Sequence, residues 1–213
     1  MTKTLRRSKL IIPVCVFLFL LFTVAFIHAG EPPKDPILRI ETGMHTALVS
    51  RTAVDTDNRY LVTGSHDKTV RVWELSTGRL IKTLRVPLGE GNEGKIFSVA
   101  ITPDGNTIAC GGWTGHEWDN ASSIYLFDRE SGRLIRRITS LPQVIFHLAY
   151  SKDGRFLVVA LGGNNGIRLY RTSDYSQIGE DKEYGSDSYG ADFSGAKANG
   201  ATPFLRPHHM TVI

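Results

Sequence analysis

The chain repeats one pattern of short apolar runs and acidic turns three times, and this repetition limits its fold more than any other feature. The turn acids Asp57, Asp104 and Asp153 are 47 and 49 residues apart. Three aromatic residues recur in the same order, 54 and 43 residues apart: Trp73, Phe127 and Tyr170. Repetition at intervals of about 45 residues predicts a stack of similar supersecondary units.

Each unit contains four strand-like runs, and the chain has no segment with sustained helical periodicity. The runs are rich in β-branched residues and end at glycine or Asp-Gly turns, which indicates an all-β chain. Asn58, Gly105 and Gly154 follow the turn acids, where a tight hairpin needs a positive φ. The predicted strands are 47–54, 60–65, 70–74 and 80–84; 96–101, 107–111, 123–128 and 134–138; and 145–150, 156–160 and 167–171, with a poor last strand near Ile178. Four-stranded units at this period predict the blades of a propeller.

The units resemble WD-repeats, the family of WD40 β-propellers. The run from Thr69 to Glu74, with Trp73 on it, stands at the family's Trp-Asp strand, with Glu in place of Asp. The turn "TPDG" at 102–105 is similar to the family's turn between its first two strands, and Met44-His45 stands where a Gly-His pair is expected. The resemblance implies an incomplete propeller over 37–195, with repeats at 45–86, 95–140 and 144–182 and a fourth begun at 186.

The resemblance also implies a structural hydrogen-bond set in the first blade. Its members here are a histidine, a hydroxyl, an aspartate and a tryptophan: His45, Thr63 or Ser65, Asp67 and Trp73. A hydrolytic triad is the competing interpretation, but no nucleophile elbow surrounds the hydroxyls. Phe127 and Tyr170 replace the tryptophan in the later units, so the first blade is expected to be the best defined.

The N-terminus predicts export. Residues 1–29 have a basic head, an apolar run from Leu10 to Ile27 and a small residue, Ala29, before the polar linker 30–36. This order is typical of a cleaved signal peptide. An uncleaved signal anchor is the alternative, because 18 mostly apolar residues can span a bilayer. The expected location is secreted or periplasmic, or membrane-anchored with the propeller outside the cytoplasm.

Charge and cysteine content narrow the classes of partner. Four of the 25 Lys and Arg residues and none of the 21 acids lie in residues 1–29, which leaves 21 of each sign in the rest. A nucleic-acid partner is therefore not predicted.

Cys110 is the single cysteine after the leader and cannot form an internal disulfide. No cofactor or metal is predicted, because the neighbours His116, Glu117 and Asp119, or His208 and His209, do not by themselves converge on an ion.

Two loops are longer than the repeat requires, and the resemblance places both on one face of the propeller. They are the segments 86–95 and 113–122, and the turn "GGNNG" at 162–166 is expected on the same face. Exposed tryptophans are typical binding anchors, so this face is predicted to bind a protein or peptide. The alternative is that the rings fold back onto the blade edge. The candidate residues are Trp113, His116, Glu117, Trp118, Asp119, Asn164 and Asn165.

The end of the sequence departs from the repeat. The segment 186–195 resembles a first strand, whereas 196–213 has no recognisable second strand and is expected to be an irregular tail. Pro203 and Pro207 disfavour continuation of the strand pattern there. The segment 36–42 resembles the strand with which such propellers close. An arc of about three and a half blades would leave edges open, which predicts self-association or low stability.

The predicted function is therefore an interaction scaffold, truncated from a longer propeller. Two alternatives remain at the level of sequence. One is a fragment of an exported propeller hydrolase or dehydrogenase, although the innermost strands offer chiefly Arg51, Ser98 and His147 for chemistry. The other is a truncated product without function. We expect no enzymatic activity, because this supply of reactive groups is small.

Overall fold

The computed structural model describes residues 43–89, 91–183, 185–193 and 205–207. Its regular structure is almost entirely β, in three four-stranded antiparallel sheets that each follow the chain order of their strands. The predicted all-β fold of four-stranded antiparallel blades is confirmed. Each sheet is one blade, because neighbouring strands along the chain are joined by short turns and pair directly.

The strand bounds follow the repeat closely. The first blade contains β1 (Val49–Val54), β2 (Tyr60–Ser65), β3 (Val70–Glu74) and β4 (Arg79–Leu84). The second contains β5 (Lys95–Ile101), β6 (Thr107–Trp113), β7 (Ser122–Asp128) and β8 (Leu134–Leu141), with a four-residue helix α1 (His116–Asp119) between β6 and β7. The third contains β9 (Ile145–Tyr150), β10 (Phe156–Leu161), β11 (Ile167–Arg171) and β12 (Gln177–Asp181).

Several strands differ in length from their predictions. β1 begins at Val49 rather than at residue 47, while β6 continues to Trp113 and β8 to Leu141. β8 is longer because its last residue, Leu141, pairs with Ser122 at the start of β7 across a register shift. The poor strand near Ile178 is a full member of its sheet, with Gln177 opposite Tyr170.

The hairpin turns have the backbone conformation that their sequence predicts. Asn58, Gly105 and Gly154 have φ angles of 53°, 73° and 71°. Glycine and asparagine adopt this left-handed backbone conformation more readily than other residues do. The turn residues therefore end each first strand at the same point of the repeat.

The hydrophobic core lies between the blades. Val62, Val70 and Val72 of the first blade pack with Ile96 and Val99 of the second. A second cluster joins the second and third blades, and a third joins Val158 and Leu169 to Ala191 of the fourth unit. Central strands buried on both faces explain near-continuous apolar runs such as Phe156–Leu161. Cys110 is fully buried in the first cluster, where burial raises the pKa of its thiol.

The fourth unit corrects one expectation about the end of the chain. β13 (Ala191–Phe193) pairs antiparallel with β14 (Leu205–Pro207), so a second strand exists within the segment 196–213. A proline is tolerated there because Pro207 is the last residue of a short strand at the margin of a two-stranded sheet.

Several predicted segments lie outside the described residues. They are the leader 1–29, the linker 30–36, the closing strand 36–42, most of the tail and the pair His208-His209. Across the ranges that the structure does describe, no helix has the length and apolar character needed to span a membrane.

Candidate functional site

A chain of side-chain hydrogen bonds crosses the first blade from its tryptophan to its aspartate. Trp73 Nε1 donates to Thr63 Oγ1 at 2.9 Å, and Thr63 Oγ1 lies 2.6 Å from His45 Nε2. His45 Nδ1 lies 2.8 Å from Asp67 Oδ2. Because an ionised Asp67 can only accept, His45 Nδ1 donates to it, and in that tautomer Nε2 accepts from the Thr63 hydroxyl, whose oxygen accepts from Trp73. Every member of the chain then has a partner.

Asp67 is the acceptor on which the chain ends. Thr69 Oγ1 donates to Oδ1 at 2.6 Å, and the Thr46 amide donates to Oδ2 at 3.0 Å. Burial opposes ionisation of this carboxyl, but the hydrogen bonds from Thr69, His45 and Thr46 outweigh it and hold the pKa of Asp67 below its ordinary value. An ionised aspartate therefore fixes the loop before β1 against the turn after β2.

The structure distinguishes the two candidate hydroxyls. Thr63 joins His45 to Trp73, whereas Ser65 Oγ donates to the Ala47 carbonyl and accepts from the Asp67 amide. Sequence reasoning missed Thr69 and Thr46, although Thr69 stands two residues after Asp67, a spacing at which an aspartate commonly accepts local hydrogen bonds.

The same arrangement has the order of an acid–histidine–hydroxyl triad. Thr63, however, is only 7% exposed, and its oxygen already accepts from Trp73. A nucleophile must reach its substrate, and this hydroxyl lies inside the blade. The geometry therefore fits a structural network.

The two long loops are in contact with each other, as expected for loops on one face. The Gly115 amide donates to Glu93 Oε1, and the Gly94 amide donates to the Trp113 carbonyl at 2.7 Å. Glu93 is 3% exposed. A buried carboxylate with a backbone donor holds the loop before β5 against the turn that leads into α1.

The predicted binding residues of this insertion divide into two groups. The Trp113 and His116 rings stack, with centroids 5.3 Å apart and planes inclined by 4°. Asp119 instead forms an ion pair with Arg137 of β8 at 3.1 Å, which fastens the end of α1 to the blade edge. The side chains of Glu117 and Trp118 lie outside the described part of the chain. Trp113 and His116 are both partly exposed.

The turn at 162–166 presents Asn164 and Asn165 on the third blade. Asn164 is exposed with a φ of 56°. Asn165 Nδ2 donates to the carbonyls of Gly162 and Gly163 at 2.6 and 2.7 Å, so this side chain shapes the turn. Of the two asparagines, Asn164 has the exposed side chain that can contact a partner.

The innermost strands hold the three residues that sequence analysis considered for chemistry. Ser98 is buried, and its hydroxyl lies 3.3 Å from the Gly111 carbonyl and 3.4 Å from the Ile145 carbonyl. Burial, followed by the charge of Arg51, lowers the pKa of His147 to about 4. Within the described residues, no three His, Cys, Asp or Glu side chains form a group suited to a metal ion. Arg51, Ser98 and His147 therefore do not provide an activated nucleophile.

Sequence reasoning missed a row of four aromatic rings that runs from the first unit to the fourth. His66, Phe97, Phe146 and Tyr189 form consecutive ring contacts, with centroids 4.7, 6.0 and 4.8 Å apart. One ring comes from each unit. Phe97 and Phe146 are 49 residues apart, the interval of the turn acids Asp104 and Asp153, so alignment of the repeats could have found this pair.

Comparison with known proteins agrees with the repeat pattern. The family described as "WD domain, G-beta repeat" matches residues 39–74 and 78–119. A rice (Oryza sativa subsp. japonica) protein named small ribosomal subunit protein RACK1y is 32% identical over 95 residues, which are 44% of this chain and 27% of the relative. The ribosome biogenesis protein BOP1 homolog of Drosophila melanogaster is 52% identical over 40 residues, which are 19% of this chain and 5% of the relative. The chain thus spans about a quarter of the first relative and a twentieth of the second.

Proposed function

This chain carries WD40 repeats, and from that premise we propose that it is an exported interaction scaffold that binds a protein or peptide. Its binding face is the loop face, defined as Trp113, His116 and the neighbouring α1 of the second blade together with Asn164 of the third. The scaffold has no catalytic role in this proposal. A fold of this kind supports many functions, so the function has to be inferred from the site itself.

The rigid insertion between β6 and β7 is the observation that carries the proposal. A loop that only connected two strands would need few residues, but this one places an aromatic pair beside a short helix. Glu93 holds one end through the Gly115 amide, and Arg137 holds the other through Asp119. Anchoring at both ends lowers the conformational entropy lost on binding, which favours affinity. Partly exposed tryptophan is among the commonest residues at the centre of interfaces.

Export is supported by the leader of the sequence. Its basic head, apolar run and small residue before the linker have the order of a secretory signal. N-terminal sequencing of the protein purified from its host should find Gly30 first. An intact leader in the membrane fraction would identify the anchored alternative, and an intact leader in the cytosol would refute export.

Site-specific photo-cross-linking in living host cells tests the binding role. A benzophenone amino acid replaces Trp113 in one variant and Asn164 in another, and Lys152, an exposed residue on the turn between β9 and β10, serves as the control position. The expected result is one discrete adduct shared by positions 113 and 164 and absent at 152. Mass spectrometry of the adduct then identifies the partner.

The experiment also has a clear negative result. If the three positions give the same adducts, the contacts are non-specific and the loop face is not a binding surface. If position 113 gives none while the protein is folded and abundant, the insertion has no partner.

A further inference from the structure

The same irregularity occurs in the first strand of every complete blade. The pairing shifts between Val49 and Arg51 in β1 and between Ile96 and Ser98 in β5. In the third blade, Ala160 pairs with His147 and Leu161 with Ile145. One residue of each inner strand is therefore left out of the ladder: Ser50, Phe97 and Phe146. A bulge of this kind re-aims the side chain of the extra residue.

Two glycines make space for the bulged phenylalanines. A Cβ on Gly112 would lie 2.9 Å from the Phe97 ring and 2.7 Å from the Phe97 amide nitrogen. A Cβ on Gly162 would lie 2.9 Å from the Phe146 ring. Each ring therefore lies over a glycine at which no side chain fits: Gly112 is in β6, and Gly162 directly follows β10. Bulge and glycine together hold the two rings at equivalent places in successive blades.

These rings belong to the aromatic row, the name used here for His66, Phe97, Phe146 and Tyr189. The Phe97 and Phe146 rings meet edge to face at 83°. Tyr189 is 48% exposed, and the other three side chains are partly exposed. The lowered pKa of His66, caused by burial and then by the charge of Lys95, keeps its ring neutral near pH 7. The row therefore offers a continuous aromatic surface to a partner.

Three cations lie near members of the row. Arg51 Nη2 donates to the carbonyls of Phe146 and Tyr189, at 3.5 and 3.2 Å, so its guanidinium lies directly against the row. Lys95 acts electrostatically on His66. Lys68 is two residues from His66, and its amine donates to the Gly89 carbonyl at 2.7 Å. Within the described ranges none of these three cations forms an ion pair.

Two acids near the row already have donors. Asp187 accepts from the Tyr189 hydroxyl at 2.9 Å and from the Gly163 amide. Glu93 is buried and accepts from the Gly115 amide. Cations without acidic partners beside an aromatic surface are complementary to a ligand that carries both carboxylates and apolar groups.

We propose that the aromatic row docks an extended, acidic segment of a partner protein. Alternate side chains of an extended chain point the same way at intervals of about 6.4 to 6.8 Å, so an extended segment can place more than one side chain against a row whose neighbouring centroids are 4.7 to 6.0 Å apart. Apolar side chains of the segment contact the rings, and its carboxylates pair with Arg51, Lys68 and Lys95. This inference rests on the proposed scaffold function and names the chemistry of its partner.

The test measures binding of synthetic peptides to the full chain by fluorescence anisotropy. The probe is a fluorescein-labelled nine-residue peptide of alternating Asp and Leu. One comparison peptide has Lys in place of every Asp, and a second has Ser in place of every Leu. The acidic apolar peptide should bind, and its affinity should fall as salt is raised. The other two peptides should bind at least about tenfold more weakly, because each lacks one half of the complementarity.

Variants identify the surface. Tyr189→Ala and Lys95→Gln, both of residues with solvent-accessible side chains, should each weaken binding of the acidic apolar peptide by about fivefold or more. Leu134→Ala on β8 and Lys152→Gln at the far end of β9 are the matched controls and should leave the affinity unchanged. Circular dichroism of each variant confirms that the fold is retained.

The inference is overturned if the Lys-Leu peptide binds as tightly as the Asp-Leu peptide, if no peptide binds, or if the control substitutions weaken binding as much as those in the row. These results leave the cross-linking at Trp113 and Asn164 untouched, so a failure of the row and a failure of the scaffold function can be told apart.

Discussion

Thr63 connects two parts of the first blade that are far apart in sequence. Its hydroxyl accepts from Trp73 and donates to His45; the His45 side chain is 7% exposed, and Trp73 is partly buried. A buried polar group that loses its partner costs more free energy than the hydrogen bond contributes on balance. The network therefore holds the loop before β1 in one position, and its members act together.

Replacing Thr63 with valine tests this network. The change keeps the shape of the side chain but removes the hydroxyl, which leaves the Trp73 indole and His45 Nε2 without their partner. We expect the free energy of unfolding to fall by about 1–3 kcal/mol, measured by urea denaturation. Thr52→Val, on the exposed side of β1, should change it by less than about 0.5 kcal/mol. Equal losses in the two variants would show that the hydroxyl at 63 contributes nothing specific.

Asp67 makes the stability of the first blade dependent on pH. Its folded pKa lies below its unfolded value of about 3.8, so its contribution is complete above that value and is lost as the pH falls through the folded pKa. We expect Asp67→Asn to lower the free energy of unfolding at pH 7 and to flatten its decline below about pH 4. Unfolding curves between pH 2.5 and 7 measure this.

Asp57, whose side chain is 66% exposed, provides the control for loss of one negative charge. Asp57→Asn should leave both the stability at pH 7 and the acid decline close to those of the unmodified chain. If the acid decline of Asp67→Asn matches that of the unmodified chain, the ionised form of Asp67 does not stabilise the fold.

The bulges in β1, β5 and β9 are the structural elements that distinguish this chain from a set of plain hairpins. They fall at the same point of each blade, and a glycine in the second strand or directly after it lies against two of them. In the second blade the approach is closest, because a Cβ on Gly112 would lie 2.2 Å from the Lys95 carbonyl oxygen. Such a contact requires the backbone of β5 to move.

Gly112→Ala should therefore destabilise the second blade. We expect a loss of about 1–3 kcal/mol, the usual range for overpacking a tight site, together with weaker packing of Phe97 in the aromatic row. Thermal unfolding measures the loss. Gly179→Ala on β12 is the matched control, since a Cβ there would lie 3.8 Å from its nearest neighbour, an ordinary contact. A stability of Gly112→Ala equal to that of Gly179→Ala would contradict the account of the bulge.

The blades of the molecule are joined by polar contacts as well as by the core. Arg59 Nη2 donates to the Asp104 carbonyl at 2.9 Å, the Thr56 amide donates to the Pro103 carbonyl at 3.2 Å, and the Arg129 guanidinium lies 4.1 Å from the centre of the Tyr60 ring. These contacts fix the first blade against the second at the end opposite the loop face. They explain how a face built from several blades can hold a constant shape.

The first blade also exposes apolar side chains that favour self-association. Leu48 is 66% exposed, Val49 40% and Val54 47%. Leu48 directly precedes β1 and Val49 begins it, so two of these side chains are adjacent at one end of the strand, and exposed apolar patches are common at contacts between chains. For residues 30–213 we expect the mass from light scattering to rise with concentration, and Leu48→Glu should reduce that rise. Leu88→Glu, at a loop residue that is 49% exposed, is the control. A constant monomer mass at all concentrations would refute this prediction.

The sequence by itself determined the strands, the turns and the repeat, because these depend on neighbouring residues. Alternating and continuous apolar runs define the strands of each blade, and Asn58, Gly105 and Gly154 supply the turn conformation that side chains with a Cβ rarely adopt. The spacing of the repeat also pointed to His45, Asp67 and Trp73 through the family resemblance. Packing then decided between Thr63 and Ser65 and added Thr69 and Thr46.

Only the tertiary structure decided how the blades combine. The bulges at Phe97 and Phe146 arise where two strands pair out of step, and no local pattern marks that shift. The contact between the Phe146 and Tyr189 rings, at 4.8 Å, joins units that are 43 residues apart in sequence. The pairing of β13 with β14 similarly overrode the proline signals of the tail. Contacts between distant residues depend on where whole blades come to lie, which is fixed by burial of their shared cores and not by the residues beside them in the chain.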